Sequence, residues 1–546
     1  MISSISIAII GIFTSIAYLL LKSGSRDKRF PNGPPTLPII GNLHQLPRRR
    51  AHLKYTEMAK EYGGLYTVKA GHHTIAIITD RRVVRELIEE KGPTASNRPS
   101  SYIIQRLIGE NDHLLTLQYG QTWRLIRKLV HQHFKDSMCD NEHVYLQHAE
   151  GVQMLRDFIV DPENNMQHPR RYSCSIMTST VYGVRIPSIK SAYMGHLYEM
   201  LDTFTALLEL GATPPVDFYP FLKWVPDRFL GNWRTRAYHV KGIMESLHQG
   251  MYKHVLARRA KIDEKEKKGS TPNTSSLMDK VLGERDNLGF STHKLSFIGG
   301  GLVEGGSETP ACMILTFIGA MTKWPEIQKK AQVEIDAVIG EDRSPTWADY
   351  ACLPYVAAIT KECVRWRPVA PLGMPHSLDA DEWIDGRLLP KGATLILNIW
   401  GLNHDENHYR NPEVFDPERF YNNKEKVPLA HEYMNKQDYN SRDHYSYGAG
   451  RRFCTGIHLA ERDMFIAMAM LLWAFNFEKP VDPTTGLAME PDLSPDTGFI
   501  EGLVACPAPF PCKVSVRSKA RYETILREFE EAKVHVFDKY DENVEL

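Results

Sequence analysis

The chain has 546 residues, and its 66 Lys+Arg are matched by 66 Asp+Glu, which argues against a nucleic-acid binder that relies on bulk positive charge. With 42% hydrophobic and 24% charged residues it is not a disordered protein, and 37 Gly and 33 Pro without a repeat exclude a collagen-like one. A mean hydropathy of −0.34 excludes a polytopic membrane protein but leaves room for one span.

Residues 2–21 contain no charged side chain. Twenty residues at a rise of ~1.5 Å span roughly 30 Å, the thickness of a bilayer core. Lys22, Arg26, Lys28 and Arg29 follow at once, which holds that side in the cytosol. No basic region precedes the apolar run and no small-residue cleavage site follows it, so 1–21 reads as a signal anchor rather than a cleaved signal peptide. Residues 22–47 form a basic, Pro-rich linker, either a stiff extended strap or a plain connection. The body is expected over 48–520, with a charged, peripheral tail at 521–546.

Within the body, long helical patterns alternate with short β-like runs. Leu65–Val68 and Thr74–Ile78 predict a hairpin turning at Gly71-His72-His73. Trp123–Phe134 predicts a helix, and His293–Lys323 a longer one. Residues 261–276 read as a surface loop. Its Asn273-Thr274-Ser275 would not be glycosylated on a cytosolic body. The eight cysteines include no C-x-x-C pair and are too sparse for a disulfide scaffold, which suits a reducing compartment and inert buried thiols.

One cysteine stands apart, in Tyr447-Gly448-Ala449-Gly450-Arg451-Arg452-Phe453-Cys454-Thr455-Gly456. The glycines make a tight loop, and Cys454 leads into an apolar helical run, Leu459–Leu472. A thiol at a helix N-terminus is favoured as thiolate, which can ligate iron. Gly456 lets the backbone approach a flat macrocycle, and Arg452 can pair with a propionate. The alternative is a structural cysteine buried beside a turn.

The segment resembles the haem-thiolate signature of the cytochrome P-450 superfamily, F-x-x-G-x-R-x-C-x-G, with Tyr447 in place of the usual Phe. Further segments match that family in order. Trp123 and Arg127 resemble its W-x-x-x-R, where both side chains reach a propionate. Glu362 and Arg365 resemble its E-x-x-R, and Arg419 in Asp416-Pro417-Glu418-Arg419-Phe420 the third member of that structural triad. His376 sits where the family often has a basic propionate partner. The resemblance implies a mainly α fold with small β-sheets, a helix-rich haem domain with a long kinked central helix, preceded by one transmembrane helix. It also implies haem b held through Cys454 as axial ligand of the iron, dioxygen as co-substrate, and electrons from NADPH.

Gly305-Gly306-Ser307-Glu308-Thr309-Pro310 resembles the family's A/G-G-x-D/E-T-T/S. Thr309 can bond back to the Gly305 carbonyl, and Pro310, a departure from the pattern, removes the helical donor of the Gly306 carbonyl. The resemblance gives Glu308 and Thr309 the delivery of protons. By family position the substrate cavity draws on residues 101–117 and 204–210, and on Val303, Val369, Leu372 and Leu503, an apolar lining for an apolar or aromatic small molecule.

Arg124, Lys128 and Arg451 flank the expected haem face and form either a docking patch for an acidic partner or scattered solvated charges. No flavin or nicotinamide module follows. The resemblance therefore implies a separate NADPH-cytochrome P-450 reductase, with a cytochrome b-type donor as a second electron source. It places the protein at the endoplasmic-reticulum membrane in contact with lipid, facing the cytosol. The overall style resembles filamentous-fungal members that tailor secondary metabolites. The rival readings are a haem-thiolate isomerase, which needs no delivered protons, a xenobiotic-detoxifying hydroxylase, and a non-catalytic haem carrier.

Overall fold

The computed structural model describes residues 10–12, 14, 15, 18, 22–209, 211–266, 276–422, 425–434, 436, 438–500, 502 and 504–542. Leu210, Asn273, Leu503 and most of the span expected over 1–21 lie outside them. The described positions of that span are helical, and among the described residues no helix is long and apolar enough to cross a membrane.

The protein is mainly α with small sheets. Eleven helices carry the description: α1 Ala51–Tyr62, α2 Gln121–Phe134, α3 Val144–Val160, α4 His168–Tyr182, α5 Ala192–Leu208, α6 Trp233–Glu266, α7 Thr292–Lys323, α8 Pro325–Val338, α9 Pro354–Trp366, α10 Ile457–Ala474 and α11 Lys519–His535. The strands are β1 Leu65–Ala70, β2 His73–Ile78, β3 His376–Ser377, β4 Glu382–Ile384, β5 Arg387–Leu389, β6 Thr394–Leu397, β7 Phe475–Glu478, β8 Phe499–Ile500, β9 Cys506–Pro507 and β10 Lys513–Val516. The largest sheet runs β1-β2-β6-β3, antiparallel except for the parallel β2–β6 pair, in which Ile75 faces Thr394. Three two-stranded ribbons pair β4 with β5, β7 with β10 and β8 with β9.

The expected hairpin is present and longer than its apolar run suggested. Leu65 pairs with Ile78 and Ala70 with His73, so the turn tightens to Gly71-His72, with Gly71 at φ +59°. The expected long helix is α7, unbroken through Pro310. Ser291 caps it by accepting from the Lys294 N–H. It packs against α4, α6 and α10 and is buried along most of its length. Its glycines serve close approach: a Cβ at Gly300 would come within 2.0 Å of the His248 ring on α6. Helix α10 is buried at every position from Glu461 to Ala474, as its nearly continuous apolar sequence requires.

Three expectations of organisation are corrected. Residues 22–47 are docked on the body as a strap and are not a plain connection. Arg26 donates to the Gly33 carbonyl and to Thr67 on β1, while Asn42 and Lys69 exchange backbone and side-chain hydrogen bonds at 2.6 and 2.8 Å. The segment's own carbonyls also accept, at Asn32 from the Thr67 N–H and at Pro31 from the Thr67 hydroxyl, so its prolines dock although they supply no N–H. Residues 261–266 are not loop but the end of α6, and Ser276 caps the next helix with a capping box. The tail is not peripheral either. Helix α11 begins at Lys519 and buries Ile525, and Phe537 packs with Ala149 and Ala532. The backbone of Arg185 donates to the Asp541 carbonyl, while the Arg185 guanidinium reaches back to the fully buried Glu150.

All eight cysteines are free. Burial pushes the thiols of Cys139 and Cys174 up to about 12, which keeps them inert.

Asp463, buried on α10, carries a measurable consequence. It accepts from Gln147 at 2.6 Å, but burial outweighs that bond and raises its carboxyl from 3.8 to about 8. The folded state therefore prefers the protonated form. That contribution to stability is complete below about pH 4 and is lost as the pH rises towards 8. Asp463→Asn is expected to remove this decline and to stabilise the protein near pH 7 by roughly 2–4 kcal/mol. The thermal midpoint of variant and wild type, followed across that window, checks it.

Candidate active site

The cysteine loop owes its shape to two left-handed glycines, Gly448 at φ +75° and Gly450 at φ +61°. At Gly450 a side chain is excluded twice over, because its Cβ would also lie 2.3 Å from the Ile88 carbonyl oxygen. A short 3-10 turn, Gly450–Arg452, follows, and the Cys454 N–H closes the loop on the Tyr447 carbonyl at 2.8 Å. Cys454 thus enters α10 with the Gly456 N–H aimed at its sulfur. The expectation that this loop alone lowers the thiol's pKa is reversed. Burial raises it, and the Gly456 N–H and Arg127 only partly offset that. A cation in contact with the sulfur is what would hold it as thiolate.

Helix α2 sets Trp123 and Arg127 one turn apart, and both turn toward the cysteine loop. The Arg127 guanidinium lies 4.5 Å from the Phe453 ring, and that of Arg452 4.4 Å from the Trp123 ring. Arg452 also donates to the carbonyls of Ser96 and Leu117. Arg98, which the sequence did not single out, donates to the carbonyls of Met374 and Pro375. His376 belongs to this group but in a different role. Its Nδ1–H donates to the Ala95 carbonyl at 2.8 Å, and burial, reinforced by Arg98, lowers it to about 3. It is therefore neutral, with Nε2 an acceptor, and Arg98 supplies the positive charge expected of it.

The charges of this cluster are unbalanced. None of Arg98, Arg127 and Arg452 pairs with a carboxylate among the described residues, and Arg127 Nη2 is buried without a partner. Burial lowers Arg98 and Arg127 to about 10 and Arg452 to about 9. Desolvated cations of this kind, Arg98 buried and Arg127 and Arg452 half-buried, call for an anion. Around Gly456 no atom lies closer than 4.0 Å to where a Cβ would stand, and that atom is the Cys454 sulfur. A thiol that needs a cation, an open glycine beside it and three cations that need anions fit an iron macrocycle with acidic side chains.

On α7 the Thr309 hydroxyl donates to the Gly305 carbonyl at 2.9 Å, the back-bond its spacing predicted. A Cβ at Gly305 would meet nothing within 4 Å, so this face of a buried helix opens onto a hollow. Glu308 is buried, and burial holds its carboxyl above the ordinary value, with Arg170 partly offsetting it. Val303 is corrected. It lies two residues, about 200°, around the helix from Gly305, and its side chain is fully buried in packing. Leu372 does line a cavity, of about 340 Å³, with Ile104, Leu115, Leu208, Met374 and Phe499. Val369 packs instead beside Cys312, Leu315 and Cys506. Leu503 lies outside the described residues.

The structural triad is assembled. Arg365 makes two 2.7 Å bonds to the Glu362 carboxylate, both side chains being fully buried, and Arg419 Nε stands 3.4 Å from the same carboxylate.

A cytochrome P-450 family profile matches residues 31–493. The chain belongs to the cytochrome P-450 family. It is 49% identical over 527 residues to a cytochrome P-450 monooxygenase of Arthrobotrys oligospora, covering 96% of each chain. It is 47% identical to the monooxygenase macC of Penicillium terrestre, covering 96% of this chain and 98% of that one. To yanC of Aspergillus niger it is 45% identical, covering 98% of both. Membership makes the chain an enzyme of the P-450 monooxygenase class, with haem iron as its cofactor.

A further feature escaped the sequence reading. Glu304, just before Gly305, is buried and accepts from His113 Nε2 at 2.9 Å and His248 Nε2 at 2.8 Å. Burial pushes its carboxyl up, but the two histidines outweigh that and bring it from 4.5 down to about 2. The bridge ties residues 109–117, which include the pocket residue Leu115, to α6 and α7. Isolated histidines 135 residues apart give no local signal of it. Glu304→Gln is expected to cost roughly 1–3 kcal/mol at neutral pH. The wild-type advantage should fade as the pH falls from about 4.5 towards 2, because a lowered carboxyl stabilises only while it is ionised. Chemical denaturation of both proteins at several pH values checks it.

Proposed function

We propose that the chain is a haem-thiolate monooxygenase that inserts one oxygen atom of dioxygen into an apolar or aromatic small molecule, as a tailoring step in fungal secondary metabolism. The observation that carries this is the cysteine loop facing three carboxylate-free arginines, one buried and two half-buried, in a chain whose relatives are named monooxygenases. Residues 1–21 anchor it in the endoplasmic-reticulum membrane with the body in the cytosol. Electrons come from NADPH through a separate reductase, supported by a cytochrome b-type donor. Arg124, Lys128, His131 and Lys135 recur at one-turn spacing along α2 and its end, all exposed and beside exposed Arg451, a basic stripe suited to an acidic partner.

Cys454 would hold the iron through its sulfur, with Trp123, Arg98, Arg127 and Arg452 around the acidic side chains, and Gly456 allowing close approach. Haem supplies the binding and activation of dioxygen. The rest is the work of the chain. Burial keeps a proton on the Glu308 carboxyl at higher pH than usual, so it can release one toward the groove. Thr309, whose hydroxyl hydrogen is held by the Gly305 carbonyl, offers its oxygen as acceptor to a proton-bearing water. Pro310 leaves the Gly306 carbonyl without a helical donor and free to hold such a water. The apolar lining at Ile104, Leu115 and Leu372 favours an apolar substrate body, and Arg48, Arg49, Arg50 and Arg367 on the same cavity can meet a polar group on it.

Cys454→Ala is expected to abolish the red-shifted absorbance band of the reduced carbonyl complex. In the native host it should cause accumulation of a compound lighter by one oxygen than the lost product, read by mass spectrometry. An unchanged metabolite profile would sink the biosynthetic reading.

Pro310→Thr is expected to leave haem binding intact while shifting the ratio of product formed to NADPH consumed, by about twofold or more for a lost water contact. Measuring both quantities in a reconstituted system decides it, and an unchanged ratio removes Pro310 from the proton path.

A further inference from the structure

Beyond the haem site, the first turn of α10 carries a second group of ligand-type side chains. A carboxylate oxygen of Asp136 and one nitrogen each from His431 and His458 lie within 4.8 Å of one another. They come from three separate segments: the turn Asp136–Met138 after α2, the short helix Ala430–Tyr433, and α10 itself. We propose that Asp136, His431 and His458 bind a divalent transition-metal ion of borderline softness, such as zinc, on the surface beside the cysteine loop.

Three features of the site support this. His458 Nδ1 and Asp136 Oδ1 stand 3.4 Å apart, yet Nδ1 is buried and makes no hydrogen bond. Two ligands bound at about 2.1 Å to a tetrahedral ion lie roughly 3.4 Å apart, so the pair is spaced as ligands rather than as donor and acceptor. His431 is oriented from behind, because its Nδ1 bonds to the Glu461 carboxylate at 2.8 Å, which leaves Nε2 with the free lone pair. Glu461 is in turn fixed by the Ala430 N–H at 2.5 Å. A carboxylate behind a ligating histidine is the usual outer partner of a metal site. The local charge also calls for a cation. Asp136 and Asp140 face the single guanidinium of Arg462, which bonds Asp136 at 2.7 Å and Asp140 at 2.6 Å. Asp136 is half exposed, and the Oδ1 that stands beside His458 Nδ1 is the same oxygen that accepts from Arg462, so an ion would share it with the guanidinium while solvent completes the coordination.

An ion there would tie the start of α10 to the two segments packed on it, stabilising the folded protein in proportion to its occupancy. The test uses chelator-washed holoenzyme, in which Cys454 is engaged, with zinc as the probe and a chromophoric chelator as competitor. Wild type is expected to bind one zinc ion per chain more than His431→Gln or His458→Gln. Glu461→Gln should bind that ion roughly 10–100-fold more weakly. Zinc should also raise the thermal midpoint of wild type but not of Asp136→Asn, whose exposed position makes it safe for folding. Equal zinc stoichiometry and affinity in wild type and both histidine variants would overturn the proposal. So would a wild-type midpoint that zinc leaves unmoved.

Discussion

The bidentate pair between Glu362 and Arg365 is the constraint on which the rest of the molecule depends. Two full charges lie in the core with no exposure, a placement that costs several kcal/mol per ion unless hydrogen bonds offset it. Here they do. Arg365 also donates to the carbonyls of Asn403 and Pro412, and the Asp416 N–H donates to Glu362. Lysine could not replace the planar fork that reaches Glu362 and both carbonyls at once. Asn403 passes the constraint on: its side chain bonds the Arg365 carbonyl, Ser446 and the Tyr445 N–H, a few residues before the cysteine. The position of Cys454 is therefore set by an ion pair about 90 residues earlier in the chain.

A second constraint acts along α7. The helix must be buried on nearly every side and still leave one face open. Glycine at 300 admits the His248 ring, and glycine at 305 leaves space where a side chain would have closed it. Two carboxylates one turn apart then meet opposite environments. Glu304 has two histidines and is held ionised; Glu308 has burial with only a partial offset from Arg170 and is held toward its protonated form. Two acids on one helix with separated proton affinities is the arrangement by which a site divides structural from proton-carrying roles.

The parts of this that were legible in the sequence are those whose partners lie within one helical turn or one loop. Glu362 with Arg365, Thr309 with the Gly305 carbonyl, and the glycines before Cys454 all have partners within a few positions. The β1–β2 hairpin was legible for the same reason. The illegible parts are held over long separations. Arg98 reaches Met374 and Pro375 across some 280 residues, and His113 reaches Glu304 across 191. Composition misled where charge hid packing: the tail after Arg521 looked solvated, yet Ile525, Ala532 and Phe537 are spaced to bury one face of helix α11 and its extension. Orientation misled at Val303, where an apolar residue near an active-site motif points to the opposite side of its helix.

The candidate site is best understood through its charges rather than its motif. Each group in it is raised in energy when taken singly. Burial works against the thiolate at Cys454 and against the charged forms of Arg98, Arg127 and Arg452, and the arginines repel one another as well. These penalties share one remedy, a group with a cation at its centre and anions at its rim. A flat macrocycle of that charge pattern would relieve the cysteine and the arginines together, whereas a neutral apolar ligand would relieve neither. The haem of the P-450 family suits the charges of this cysteine and of three arginines, of which Arg98 is buried and Arg127 and Arg452 are half-buried. The same reasoning explains why Arg98 belongs to the site although no motif names it. A buried guanidinium without a carboxylate, close enough to Arg452 to depress its charge, shares that cluster's need for an anion whatever its place in the sequence.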